Sequence, residues 1–237
     1  KSIHIDIKEI HFDKECFVKI IKIGLPAGLQ SAVFAFANIV IQAAINSLGT
    51  IVIAASSAAF NIEIFAYYVL NSFSQACTTF VGQNYGAGQI KRCKKILLLC
   101  ILEDAIASAA VISLVLLSGR VLLSVFNSNP EVIEIGYTRL LIILSAYTFS
   151  MLYENMSGYL RGFGDSLIPA VLTVIGVCAV RITWIYTVFQ THRTFTSIMI
   201  AYPVSLFTTA LLIFIALMIY RPSRRYAAAN ETGSGEI

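Results

Sequence analysis

The sequence predicts an all-α, polytopic membrane protein: a bundle of six transmembrane helices. Three observations carry this. Of 237 residues, 57% are hydrophobic and only 13% charged, with a mean hydropathy of +0.79, where soluble domains carry about 25% charged residues. Unbroken apolar runs recur that are long enough to cross a hydrocarbon core of about 30 Å, which takes about 20 residues of helix at 1.5 Å each. Finally, Lys and Arg collect in alternate connections, as the loops on the cytoplasmic side of a membrane do.

The elements follow in chain order. Residues 1–22 set five Lys and four acids among spaced apolar residues and are expected to form a cytoplasmic linker, with Asp13 to Lys22 an amphipathic helix on the membrane surface. The first span runs over about residues 23–48, with Pro26 near its start, and the turn 46–50 separates it from a second span at about 51–81. Gly82 to Gly88 (GQNYGAG) reads as a Gly-rich breaker, followed by the basic cluster Lys91, Arg92, Lys94 and Lys95. The third span is expected at about 96–117, the fourth at about 135–160 after the Asn127–Pro130 turn, the fifth at about 167–189 and the sixth at about 197–220. Residues 23–220 thus form the six-span unit, and 221–237 a polar cytoplasmic tail expected to be disordered.

Counting basic residues tests this layout. One side of the membrane receives thirteen Lys and Arg and the other only Arg120 and Arg193, with Arg139 and Arg181 left inside spans. A wrong span count would scramble that division, so a plasma (inner) membrane protein with both termini cytoplasmic is expected.

Several function classes are excluded or disfavoured. The net charge of +4 is too small to imply a nucleic-acid surface. No G-x-x-x-x-G-K-[ST] loop supplies a nucleotide site, and the three His lack metal-ligand spacing. No catalytic constellation can be drawn, so the chain reads as not an enzyme and as needing no cofactor. The five Cys are scattered, without a C-x-x-C pair, and read as reduced packing residues. Position 1 is Lys and no signal peptide opens the chain, which suggests a fragment or a processed protein.

The spans nevertheless carry polar stripes. Ionisable side chains in hydrocarbon are costly and face a bundle interior or a wet cavity. In the second span Glu63, Tyr67, Asn71 and Ser74 share one helical face, and in the fourth Tyr147, Ser150, Glu154 and Ser157 do the same. The first span adds Gln30, Asn38, Gln42 and Asn46, and the fifth adds Arg181. Two readings stand side by side. Glu63 or Glu154 pairs with Arg181 and holds helices together, or it binds and releases a cation, either a proton or Na⁺, with a possible Na⁺ site near Glu63. Glu103 and Asp104 are expected to pair structurally with Lys94, Lys95 or another interface residue. Pro26 and Pro203 mark places where a helix can bend, while Pro169 is placed to start one.

Five pieces together resemble the multidrug and toxic compound extrusion (MATE) transporters. They are Lys22-Ile23-Gly24-Leu25-Pro26 with Gln30; Asn61-Ile62-Glu63; GQNYGAG; Leu160 to Asp165 (LRGFGD); and Arg181 with Trp184 followed by Tyr202-Pro203. The resemblance covers roughly residues 13–220 and is to the linker and C-terminal lobe of a twelve-span transporter. It implies export of drugs or other organic, often cationic, compounds in exchange for Na⁺ or H⁺, by lobes that rock about a central cleft. Glu63 matches the acidic position after the Asn-Ile pair, whereas some relatives carry an Asp where this chain has Ser150, one turn before Glu154. The candidate cation- or substrate-binding residues are therefore Glu63, Glu154, Asn38, Gln42, Tyr67, Asn71 and Arg181, with no specific metal site. The expected partners are the lipid bilayer, a small organic cation, and a missing N-terminal lobe or a second copy to close the cleft. A lipid-linked saccharide flippase is the alternative, for which Arg181 is the one well-placed basic residue; a non-transporting half-length membrane protein is the other.

Overall fold

The computed structural model describes residues 13–222. Six helices are long and apolar enough to cross a membrane: α1 (Lys14–Asn46), α2 (Thr50–Gly86), α3 (Ile90–Phe126), α4 (Pro130–Gly162), α5 (Leu167–Thr191) and α6 (Phe195–Tyr220). No strand occurs among the described residues. The expectations for residues 1–12 and 223–237, including most of the tail, lie outside the described residues.

Hydropathy marks only the hydrocarbon portion of each helix, so the helices overrun the expected spans. At 37 residues each, α2 and α3 are about 55 Å long at 1.5 Å per residue. Helices α2 and α4 each stop at a glycine turn. The Gln83 and Tyr85 carbonyls accept from the backbone N–H groups of Ala87 and Gly88, and Gly88 takes a φ of +72° that turns the chain out of α2. Gly164, at φ +90°, ends α4 in the same way, while the Asp165 N–H reaches back to the Leu160 carbonyl. Thus most of GQNYGAG is the last turn of α2, and the basic cluster is the first turns of α3. Asn129 caps α4 by accepting from the Glu131 N–H at 2.9 Å, with Pro130 in the first turn.

The same applies at the N-terminal end. Asp13 caps α1 through bonds of 2.8 and 3.0 Å from the Glu15 and Cys16 N–H groups, and the helix then runs without interruption through Lys22 and Pro26. No helix boundary falls at residue 22: the expected surface segment and the first span are one continuous helix.

Helix α4 is the hub, packed against α2, α3 and α6. Small residues bring it close to α2. A Cβ placed on Gly158 would lie 3.1 Å from Thr78 Oγ1, and one on Gly162 would lie 2.6 Å from the Val81 side chain. The core follows this contact, through Ile62, Leu70, Leu140, Ile143 and Leu144. Outward, large apolar residues such as Phe65, Leu98, Leu117 and Ile219 are left exposed, the surface a bilayer would cover. Helix α1 packs mainly along α5, with less contact to α2, so a gap lined by α1, α2, α4, α5 and α6 opens inside the bundle.

Helix α5 is not uniform. Six residues, Val174–Ala179, form a π-helical stretch within it. Gly176 lies in that stretch with Thr209 of α6 against its α-carbon, so any side chain there would collide with α6. Arg181 follows immediately after, on the next α-helical turn.

Candidate functional site

The gap is a cavity of about 570 Å³. The polar stripes of α2 and α4 both reach it: Glu63, Tyr67 and Asn71 from one, Tyr147, Ser150 and Glu154 from the other. Gln30 and Asn38 of α1, Arg181 of α5 and Tyr202 of α6 complete the wall. Of the seven candidate binding residues named from the sequence, Gln42 stands apart. It donates to Asn46 Oδ1 at 2.8 Å and lines a neighbouring recess of about 340 Å³ together with Asn38, Asn61 and Arg139.

Glu63 does not pair with Arg181. Its Oε1 and Oε2 accept from Arg139 Nη2 and Nε at 2.6 and 2.9 Å, while Arg139 Nη1 donates to Ser56 Oγ at 2.7 Å. This bidentate pair is buried, its side chains 4% and 5% exposed, and it clamps α2 to α4. Both carboxylate oxygens are taken, so a Na⁺ at Glu63 would have to displace a guanidinium.

Glu154 does not pair with Arg181 either. Its partner is Arg161, two turns further along α4, at an N···O distance of 3.6 Å. That is longer than a hydrogen bond. Arg161 is steadied instead by donating to Ser74 Oγ at 3.0 Å, and Ser74 in turn donates to the backbone carbonyl of Glu154 at 2.7 Å. One serine of α2 therefore holds both the arginine and the backbone beside the acid, and the Tyr67 and Tyr153 hydroxyls interact with the carboxylate at the cavity wall.

Arg181 donates from Nε to Ser205 Oγ at 3.0 Å, and its guanidinium stacks 4.1 Å from the centre of the Tyr202 ring. Arg139 lies on that ring too, at 5.7 Å. The sequence reading, which left Arg181 as the one well-placed basic residue, is thus corrected: Arg161 lines the cavity beside it, and Arg139 stands in the neighbouring recess, paired with Glu63. Asp104 is fully buried away from it, accepting from Ser108 Oγ at 2.7 Å and from Asn155 Nδ2 across the α3–α4 contact at 2.6 Å. Its partners are these neutral groups rather than Lys94 or Lys95, and Glu103 is exposed. Among the described residues no group of His, Cys, Asp and Glu could hold a metal ion.

The MatE family model matches residues 26–187. This chain belongs to that family. Among curated relatives of this MATE chain, the probable multidrug resistance protein YoeA of Bacillus subtilis is 22% identical over 206 residues, covering 86% of this chain and 44% of YoeA. The multidrug resistance protein PmpM of Pseudomonas aeruginosa is 31% identical over 167 residues, 68% of this chain and 34% of PmpM. A crystal structure of a MATE protein in complex with MaL6 superposes with a TM-score of 0.81 at 16% identity, covering 97% of this chain and 51% of that one. The chain therefore spans about half the length of the solved MATE chain and less than half of these curated relatives. It is a multi-pass membrane protein of a transporter family with the six-helix fold of one MATE lobe.

Proposed function

We propose that this MATE chain is one lobe of an exporter that expels organic compounds by alternating access, driven by Na⁺ or H⁺ entering in exchange. The lobe sits in the plasma (inner) membrane with both termini cytoplasmic, and a second lobe or a second copy faces its cavity. The observation that supports this is Glu154, a carboxylate on the cavity wall whose only ion-pair partner among the described residues stands 3.6 Å away. Protonation, or a Na⁺ helped by Asn71 and the tyrosine hydroxyls, removes the attraction to Arg161. Arg161 and Ser74 tie α4 to α2 at this level, so the coupling ion changes how firmly two helices of the wall are held together. Glu63, locked by Arg139, serves as the fixed point about which that change occurs.

The test is export of a fluorescent organic dye from proteoliposomes containing the complete gene product, under an imposed Na⁺ gradient in one arm and an H⁺ gradient in the other. Efflux is expected in one arm, and Glu154→Gln is expected to lower it at least about tenfold, the size of effect that loss of one charge-assisted interaction produces. Undiminished coupled efflux in Glu154→Gln would overturn the assignment.

A further inference from the structure

Arg181 is 6% exposed, and a guanidinium this buried is ordinarily matched by a carboxylate. Arg161 on the same cavity wall is matched by Glu154, and Arg139 in the neighbouring recess by Glu63. Arg181 is held in place without being matched. Ser205 Oγ accepts a hydrogen bond from its Nε–H and the Tyr202 ring fixes its plane, while neither Nη group has a hydrogen bond or ion pair among the described residues. The side chain nonetheless lines the cavity. Glu63 is occupied by Arg139 from behind the wall and Glu154 faces Arg161, so among the described residues the guanidinium on the cavity wall with no carboxylate partner is Arg181.

We propose that Arg181 is the anchor for an oxyanion, a carboxylate or phosphate, carried by an aromatic organic substrate. The planar fork of a guanidinium matches such a group with two parallel hydrogen bonds. Phe34, Phe60, Tyr67 and Tyr147 line the same cavity and supply faces for the aromatic body. A guest that is only cationic meets Arg181 unshielded, whereas a zwitterionic or anionic guest neutralises it. This assignment rests on the reading of the cavity as the substrate site of an exporter, and it replaces the expected organic cation by a compound bearing an anionic group.

The experiment compares a rhodamine carboxylate with its ethyl ester, two dyes that differ by one anionic group. Binding to the detergent-solubilised complete protein is read by fluorescence anisotropy, and export is read separately in proteoliposomes. The acid is expected to bind about tenfold more tightly than the ester, with Arg181→Gln bringing the two within about twofold and Arg181→Lys falling between. Equal or tighter binding of the ester by the unsubstituted protein, binding of neither dye, or survival of the preference in Arg181→Gln would overturn the proposal. Acid-selective binding without gradient-driven export would overturn the exporter reading and leave the Arg181 anchor standing; export without selectivity would do the reverse.

Discussion

Replacing Arg139 asks what the buried acid Glu63 is for. The pair makes two charged hydrogen bonds of 2.6 and 2.9 Å and a third to Ser56 at 2.7 Å, all sealed from solvent. Arg139→Leu leaves a carboxylate in a low-dielectric site with no cation, a change that costs about 3–5 kcal/mol in buried pairs. For a chain of this size that lowers the midpoint of thermal unfolding by roughly 10 °C. Glu63→Leu strands the guanidinium and should cost a similar amount, about 3–5 kcal/mol. The double variant removes both charges and fills the space with apolar atoms, which in other buried pairs is about neutral or stabilising. Midpoints followed by fluorescence of Trp184, the single tryptophan, in detergent should therefore fall for each single variant and recover in the double one. A double variant that loses the sum of the two single losses would refute the clamp. The same variant separates the two roles open to Glu63: recovered stability with export retained makes it a fastening, and recovered stability with export abolished puts it in the coupling step.

Other outcomes are expected from the packing and the topology. Gly162→Leu should abolish monodisperse folding in detergent, because even a Cβ there falls 2.6 Å from the Val81 side chain; an unchanged elution profile and unfolding midpoint would contradict the α2–α4 contact. Asp104→Ala should cost about 1–3 kcal/mol by leaving Ser108 and Asn155 without their shared acceptor, whereas Asp104→Asn, which keeps an acceptor oxygen, should cost less; equal losses in chemical denaturation would show that charge, not acceptance, matters there. Single-cysteine variants at Lys91 and Arg193 should react with a membrane-impermeant maleimide from opposite sides of inverted and right-side-out vesicles. Labelling of both from one side would refute the six-span topology.

The helices were legible in the sequence because their cause is local. Apolar runs, charge alternation and Gly-containing breaks act within a few residues, and the structure differs mainly in length, since hydropathy is blind to helix that continues into the headgroup region. The lining of the candidate site was legible in part. Glu63, Tyr67 and Asn71 share a face by spacing alone, and so do Tyr147, Ser150 and Glu154. The missed partners lay on the same stripes. Continuing the α4 series backwards from Tyr147 through Ile143 reaches Arg139, and forwards from Glu154 through Ser157 reaches Arg161; the α2 series continued backwards through Phe60 reaches Ser56. Two arginines bracketing one stripe at opposite ends, facing a second stripe with an acid at its start, were the available signal for both ion pairs.

Arg181 offered no such signal, and the reason is the geometry of α5. Periodicity assigns a face only while the backbone keeps 3.6 residues per turn. The π-helical stretch Val174–Ala179 widens the turn just before Arg181 and so shifts the phase of everything after it. Gly176, seated against Thr209 of α6, lets α5 and α6 approach there, bringing Arg181 onto Ser205 and Tyr202 rather than towards either acid. The consequence reaches function. Had α5 been regular, the fifth-span arginine would be one more candidate to neutralise Glu63 or Glu154, as expected from sequence. As it stands, each acid pairs with an arginine of α4, and the arginine of α5 lines the cavity wall with no carboxylate partner among the described residues, the charge on which the proposed oxyanion anchor rests.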